Sequence, residues 1–203
     1  MDEIGLFPLG IVLLPTERVP LHVFEPRYRE LISECVDGDE EFGLVLEDED
    51  GLREIGTRAR VIEILEQFPD GRLNVLVEGG ERFRIARETD GREFRTAEVE
   101  PVEDDDSEPD PEHVERALEL YGRLAELAEV EPDDPAADDS LSFALAARVE
   151  LGTAAEQELL ELSSEHDRLA RVVELLERAE ELLQTQKELR NRASQNGSVR
   201  RHG

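Results

Sequence analysis

The chain has no tryptophan, one cysteine, one lysine and two tyrosines among its 203 residues. Cys35 has no partner for an internal disulfide. Its spacing with Tyr28, Leu31, Ile32 and Val36 places it on one apolar helix face, which predicts a buried thiol in a reducing compartment. A nucleophilic thiolate needs a polar, partly exposed setting with a base beside it, so an apolar face argues for packing. The scarcity of lysine removes two further chemistries. No GxxxxGK[ST] phosphate loop is present. Lys187 sits near the end of a polar-faced helix without an apolar pocket or a neighbouring nucleophilic serine, which leaves no Ser-Lys dyad. Long apolar runs are also missing: no stretch approaches the roughly 18 to 20 residues of a membrane span. The N-terminus, MDEIGLF, is acidic where a secretory leader is basic, and the expectation is a cytoplasmic protein without membrane contact.

What the chain has in excess is negative charge. Acidic residues number 52 against 23 basic ones, a net of -29 at neutral pH. Phosphate backbones are neutralised by clustered Lys and Arg, so this field opposes nucleic acids and anionic lipid surfaces. RNA binding stays as an alternative only if Arg82, Arg84, Arg87, Arg92 and Arg95 share one face. The acidic residues concentrate between positions 101 and 139, where 16 stand against 2 basic ones.

Histidine offers little. His22, His113, His166 and His202 form no HExxH or Cys/His ligand spacing, so neither a metal nor any other cofactor is implied. His113 and His166 read as exposed first-turn residues. A hydrolytic triad around His22 requires a Ser and a carboxylate from elsewhere in the fold, and no GxSxG elbow supplies the Ser.

The pattern divides into two parts. From 1 to 102 it is one of short strands: IGLFPLGIVLLP and VPLHVF are broken by Pro8, Pro15 and Pro20, which belong at edges, bends or bulges. FGLVLED and RARVIEILEQF follow, then a PDG turn at 69–71, then RLNVLVEGGERFRIARE bent at Gly79 and Gly80, and finally EFRTAEVEPV. One helix is inserted near 26–36, with Pro26 in its first turn and Gly38 past its end. Five to seven strands with one inserted helix predict a small, partly closed barrel or two packed sheets. Residues 103–112, containing DDDSEPDP, read as a solvated acidic linker.

From 113 to 190 the period becomes helical. Val114, Leu118, Tyr121, Leu124 or Ala125, and Ala128 make the first stripe. A second helix starts at a Ser140 cap and runs toward Gly152. TAAE and SEHD are capping boxes for a short helix and a long final one, whose apolar face carries Leu169, Val172, Val173, Leu176, Ala179 and Leu183. Four helices predict a bundle, giving an α+β fold. Residues 191–203 read as a disordered basic tail.

The segments GLFPLGIVLLPTERVPLHVFEPRYRELI, FGLVL, IGTRARVIEI and DGRLNVLVEGGERFRI occur in an order and spacing that resembles the N-terminal substrate-binding domain of the ATP-dependent protease Lon. The resemblance implies a PUA-like pseudo-barrel followed by a helical bundle, in a chain that lacks the ATPase and peptidase modules of the full protease. It implies no catalytic residues. The hallmark positions are Pro20, Leu21, His22, Phe24, Glu25, Pro26, Arg27, Tyr28 and Arg29, with Gly79, Arg82, Phe83 and Arg84 in a second motif, and they are expected to define the fold. The implied function is non-catalytic recognition of unfolded or damaged polypeptides, alone or as an adaptor for a protease or chaperone complex. Leu13, Phe24, Tyr28 and Phe68 are the expected contact residues.

Overall fold

The computed structural model describes residues 2–135 and 140–198, with side chains described as far as Arg190. Strands β1 (Asp2–Leu9), β2 (Arg18–Val23), β3 (Phe42–Asp48), β4 (Gly51–Leu52), β5 (Ile55–Gln67), β6 (Leu73–Thr89) and β7 (Thr96–Pro101) make one sheet. Helix α1 (Pro26–Gly38) is inserted after β2, and α2 (Pro111–Ala128), α3 (Leu141–Ala146), α4 (Thr153–Glu161) and α5 (Glu165–Ser198) follow the strands.

The sheet closes because β1 changes partner halfway along. Asp2–Gly5 pair antiparallel with β7, and Leu6–Leu9 pair parallel with β3. Pro8 lies in the parallel part, opposite Val45. The path β1-β7-β6-β5-β3 therefore returns to β1 as a ring, with β4 and β2 outside it. Closure removes most free edges. Pro20 sits in β2, which among the described residues pairs with β6 alone, so its missing N–H costs no ladder bond on the outer side.

Two clusters fill the barrel. Phe83, Leu6, Val45 and Val99 form one; Phe7, Phe42, Val75 and Val77 pack with Tyr28, Leu31, Ile32 and Cys35 of α1 in the other. Burial, with Glu40 and Glu34 adding to it, pushes the Cys35 thiol up to about 11, as befits a packing residue. Helix α1 ends through Asp39 in the left-handed region at φ 51°, one residue beyond Gly38. Gly79 is needed for a close approach: a Cβ there would stand 2.1 Å from the carbonyl oxygen of Leu14. Gly79 exchanges backbone hydrogen bonds with the Leu14–Glu17 turn, its N–H donating to Glu17 and its carbonyl accepting from Thr16.

Several helical expectations shift. Helix α2 begins at Pro111, with the Asp110 side chain accepting from the Glu112 N–H at 2.9 Å. Its buried stripe is Ala117, Leu120, Leu124 and Ala125, while Val114 and Tyr121 are half-buried at its flank. Thr153 is inside α4 and Gly152 stands at the cap position without a side-chain bond, so TAAE is not a capping box. Ser164 does cap α5, accepting from Asp167 N–H at 3.2 Å. Ser140 makes no cap bond, because its hydroxyl donates instead to Glu165, whose other carboxylate oxygen accepts the Ser142 N–H and caps α3 from outside. Helix α3 stops at Ala146, well short of Gly152. Helix α5 continues past Arg190 to Ser198: RNRASQNGS has no proline, so an established helix propagates after its apolar stripe ends. Residues 199–203 of the expected disordered tail lie outside the described residues.

The boundary at 103–112 does not divide the packing. Val12, Leu14, Leu46 and Ile55 of the barrel belong to the same core as Leu120, Phe143, Leu159, Leu169 and Val172 of the helices. Nor is the linker merely solvated. Asp104 bonds both Arg82 of β6 and Arg168 of α5, which is fully buried. Arg82 also donates to the Leu160 and Leu162 carbonyls at 2.7 and 2.6 Å. Arg168 donates to Leu162 O at 2.9 Å, to Ser142 Oγ at 2.7 Å and to Glu165 at 2.6 Å. The Phe143 ring faces both guanidiniums, at 4.1 Å from Arg168 and 5.4 Å from Arg82. Two cations and two carboxylates balance, which is the condition for burying such a cluster.

Candidate functional site

Beyond Ala59, β3 no longer pairs with β5. The far parts of β5 and β6 then continue with β2 as a three-stranded arm. Register fixes which side chains share a face. The rows Val19–Val77–Val61, Leu21–Val75–Ile64 and Val23–Leu73–Gln67 lie on the face toward α1. The rows Pro20–Leu76–Glu63 and His22–Asn74–Glu66 lie on the outer face. Across the second row, His22 Nδ1 meets Asn74 Oδ1 at 2.6 Å and Asn74 Nδ2 donates to Glu66 at 3.1 Å. An amide oxygen only accepts, so His22 carries its proton on Nδ1.

Aromatic groups collect at the tip. His22 stacks on Phe24, ring centres 5.9 Å apart, and meets Phe68 edge-on at 6.1 Å. Arg72 covers Phe68 at 4.9 Å. Phe24 is 59 % exposed. On β5, Ile62, Ile64 and Leu65 are also exposed, and Ile62 and Leu65 are the extra residues of two bulges against β6. An arm this thin has no second layer to cover its edge, so the apolar side chains face solvent.

The expected contact set separates. Leu13, 1 % exposed, and Tyr28, 5 % exposed, are core residues and offer no surface. Phe24 and Phe68 come together at the tip around His22, while Ile62, Ile64 and Leu65 are exposed along β5, Ile64 on the face toward α1. The sequence signal for these three was available: RARVIEILEQF carries more apolar residues than a half-buried strand of strict alternation needs. The two bulges at Ile62 and Leu65 had none.

The hallmark residues build the arm's base. Glu25 precedes α1 without a side-chain cap bond and pairs instead with Arg27, at 3.0 Å. The Arg27 guanidinium stands 4.5 Å above the Tyr28 ring, which stacks on Phe7 at 4.3 Å. Arg29 Nη1 donates to the Asp70 carbonyl at 2.7 Å and holds the PDG turn against α1. Phe83 is fully buried in the barrel.

The residues named for the competing chemistries have these places among the described residues. His22 is exposed on a strand face with Asn74, Phe24 and Phe68 around it, not in a cleft with a serine. Arg82 is buried, and Arg84, Arg87, Arg92 and Arg95 pair with Glu54, Glu98, Glu34 and Glu47, so the five arginines make no open basic face. His113 and His166 are half-buried with ring centres 6.2 Å apart, rather than exposed. Among the described residues no group of three or more His, Cys, Asp and Glu is placed to hold a metal, and no helix is long and apolar enough to cross a membrane.

A closed five-strand ring carrying an inserted helix and an appended bundle, with an apolar arm and a clasp through Asp104, defines a fold of the pseudo-barrel type. The chain belongs to the ATP-dependent protease La (LON) substrate-binding domain family, whose model matches residues 3–178. It is 30% identical over 211 residues to the Lon protease of Escherichia coli K12, covering 94% of this chain and 26% of that protein. Lon protease 1 of Hydrogenovibrio crunogenus is 26% identical, covering 90% of this chain and 24% of that protein. The chain thus spans about a quarter of the length of these relatives. Among solved structures, the Lon N-terminal domain protein from Xanthomonas campestris superposes with a TM-score of 0.68 at 30% identity, covering 85% of this chain and 98% of that one. The N-terminal domain of Mycobacterium avium complex Lon protease gives 0.65 at 19% identity, covering 87% and 98%, and shares the fold.

Proposed function

We propose that this chain binds unfolded or damaged polypeptide segments, alone or as an adaptor for a protease or chaperone complex, and breaks no bonds itself. The observation that carries the reading is the tip patch: Phe24, exposed, and Phe68, half-buried, both pack on His22, on an arm whose β5 also exposes Ile62, Ile64 and Leu65. Membership of a substrate-binding domain family supports it. A buried, unpaired Cys35 suits a reducing cytoplasm.

Burying an exposed Phe contributes about 1.5–3 kcal/mol. Replacing both Phe24 and Phe68 with Ala is therefore expected to weaken binding of a fluorescently labelled, permanently unfolded protein at least tenfold by anisotropy, with thermal unfolding unchanged. Equal binding by the double variant, or no binding of unfolded protein by the parent chain, refutes the reading.

A further inference from the structure

Between residues 60 and 67, β5 has β6 on one side and, among the described residues, no strand on the other. That edge faces a groove of about 160 Å³ against the C-terminal end of α1, where Val36, Ile62 and Ile64 supply apolar wall and Asp39, Glu40 and Glu63 supply carboxylates. Helix α1 has no basic residue in its last turn, so the partial negative charge of its C-terminus adds to those carboxylates without an internal counter-ion. Arg60, the one cation lining the groove, lies 3.5 Å from Glu41.

We propose that this edge accepts an extended, cationic segment of a client polypeptide as an added strand. The inference rests on the polypeptide-recognition reading and specifies how the segment binds and what its chemistry is. Main-chain hydrogen bonds to the open edge supply sequence-tolerant affinity, as in other strand-addition complexes. Alternate side chains of the guest then fall on Ile62 and Ile64, and its Lys or Arg residues meet Asp39, Glu40, Glu63 and the end of α1. The charges also select the occupant. A second copy of this chain, at net -29, brings carboxylates to carboxylates, whereas a cationic guest removes the repulsion.

The test uses the full chain and eight-residue peptides followed by fluorescence anisotropy. A peptide alternating Val and Lys is expected to bind at least tenfold tighter than its Val and Glu counterpart and to weaken with added salt. Methylating the backbone nitrogens of every second residue is expected to abolish binding in at least one of the two possible patterns, because one edge of the guest must donate to β5. Glu40→Lys with Glu63→Lys, both at exposed positions, is expected to reverse the charge preference without changing thermal unfolding. Retained affinity under both methylation patterns, or no charge preference, overturns the proposal. So does sedimentation that shows a dimer dissociated by the Glu40→Lys and Glu63→Lys pair. If these peptides fail while unfolded protein still binds through Phe24 and Phe68, strand addition alone is lost; if neither binds, the recognition reading falls with it.

Discussion

At the scale of single residues, Asp104 has the largest effect for its size. Its carboxylate is shared by Arg82 and Arg168, and both guanidiniums are buried. Removing it leaves two cations without their common counter-ion, and breaking a buried pair from one side costs about 3–5 kcal/mol. Asp104→Ala is expected to lose at least about 3 kcal/mol in denaturant titration, far more than Asp105→Ala beside it. A second residue-scale expectation concerns Gly79, where a Cβ meets the backbone of Leu14 and no side-chain rotation relieves the clash. Gly79→Ala is expected to cost at least about 2 kcal/mol, and a melting temperature equal to the parent's would contradict the packing described. Gly79 and Arg82 were legible from sequence as hallmark positions. Their partners were not: Asp104 is 22 residues from Arg82 and 64 from Arg168, inside a run whose composition reads as solvent-facing. Local pattern carries no information on which of many carboxylates will be taken inside.

At the scale of elements, pattern located every helix and six of the seven strands among the described residues, because a buried face imposes a repeat of 3.6 or 2. It missed the two-residue β4, too short to show a period. It also misplaced contacts that depend on how an element is covered. Leu13 was indistinguishable from Phe24 as an apolar residue near a turn, and Tyr28 already stood on the apolar face of α1; only Phe24 of the three lies where no second layer reaches. Two of the expected caps failed for a related reason, while Ser164 held: Ser140 and Thr153 had the right residue types, yet Glu165 from another helix took the first and α4 started early at the second. The arm's own rigidity depends on Arg29, which fastens the 68–72 turn to α1. Arg29→Ala is expected to speed amide exchange at Gly71 and Arg72 at least tenfold while changing global stability by less than about 1 kcal/mol, the scale of one exposed hydrogen bond. Unchanged exchange in that turn would show that the arm holds its shape without the bond.

At the scale of the whole molecule, charge dominates the response to solution conditions. Burial is the main reason the Glu17 and Glu156 carboxyls sit above the usual range, with their proximity to each other adding for Glu17 and Glu150 adding for Glu156. A raised carboxyl favours the folded state more as it protonates, so stability grows as pH falls from 7 and the gain is complete below the ordinary value near 4.5. Asp104 behaves oppositely. Burial pushes it up, but the Arg168 and Arg82 guanidiniums outweigh burial and hold it below the ordinary 3.8. Its contribution is present above 3.8 and disappears as pH drops through the depressed value. The melting temperature is therefore expected to be higher at about pH 5 than at about pH 7.5 and to fall again below about pH 3.5. About 0.5 M salt should narrow the first difference by screening the net charge of -29, and so should Glu17→Gln with Glu156→Gln. A flat profile between pH 7.5 and 5 would mean that neither buried carboxyls nor net charge limits stability.

Helix α5 is fixed by Arg168 within its first turn and runs 34 residues, about 50 Å at 1.5 Å per residue. It is held well beyond that point: Leu169 to Leu183 pack with the shared core, Arg116 and Arg123 of α2 pair with Glu177 and Glu180, and Lys187 lies 3.8 Å from Glu129. The stretch from Glu188 to Ser198, about 16 Å, is what reaches past these ties, so a tilt of α5 carries α2 and the barrel face behind it along as one body.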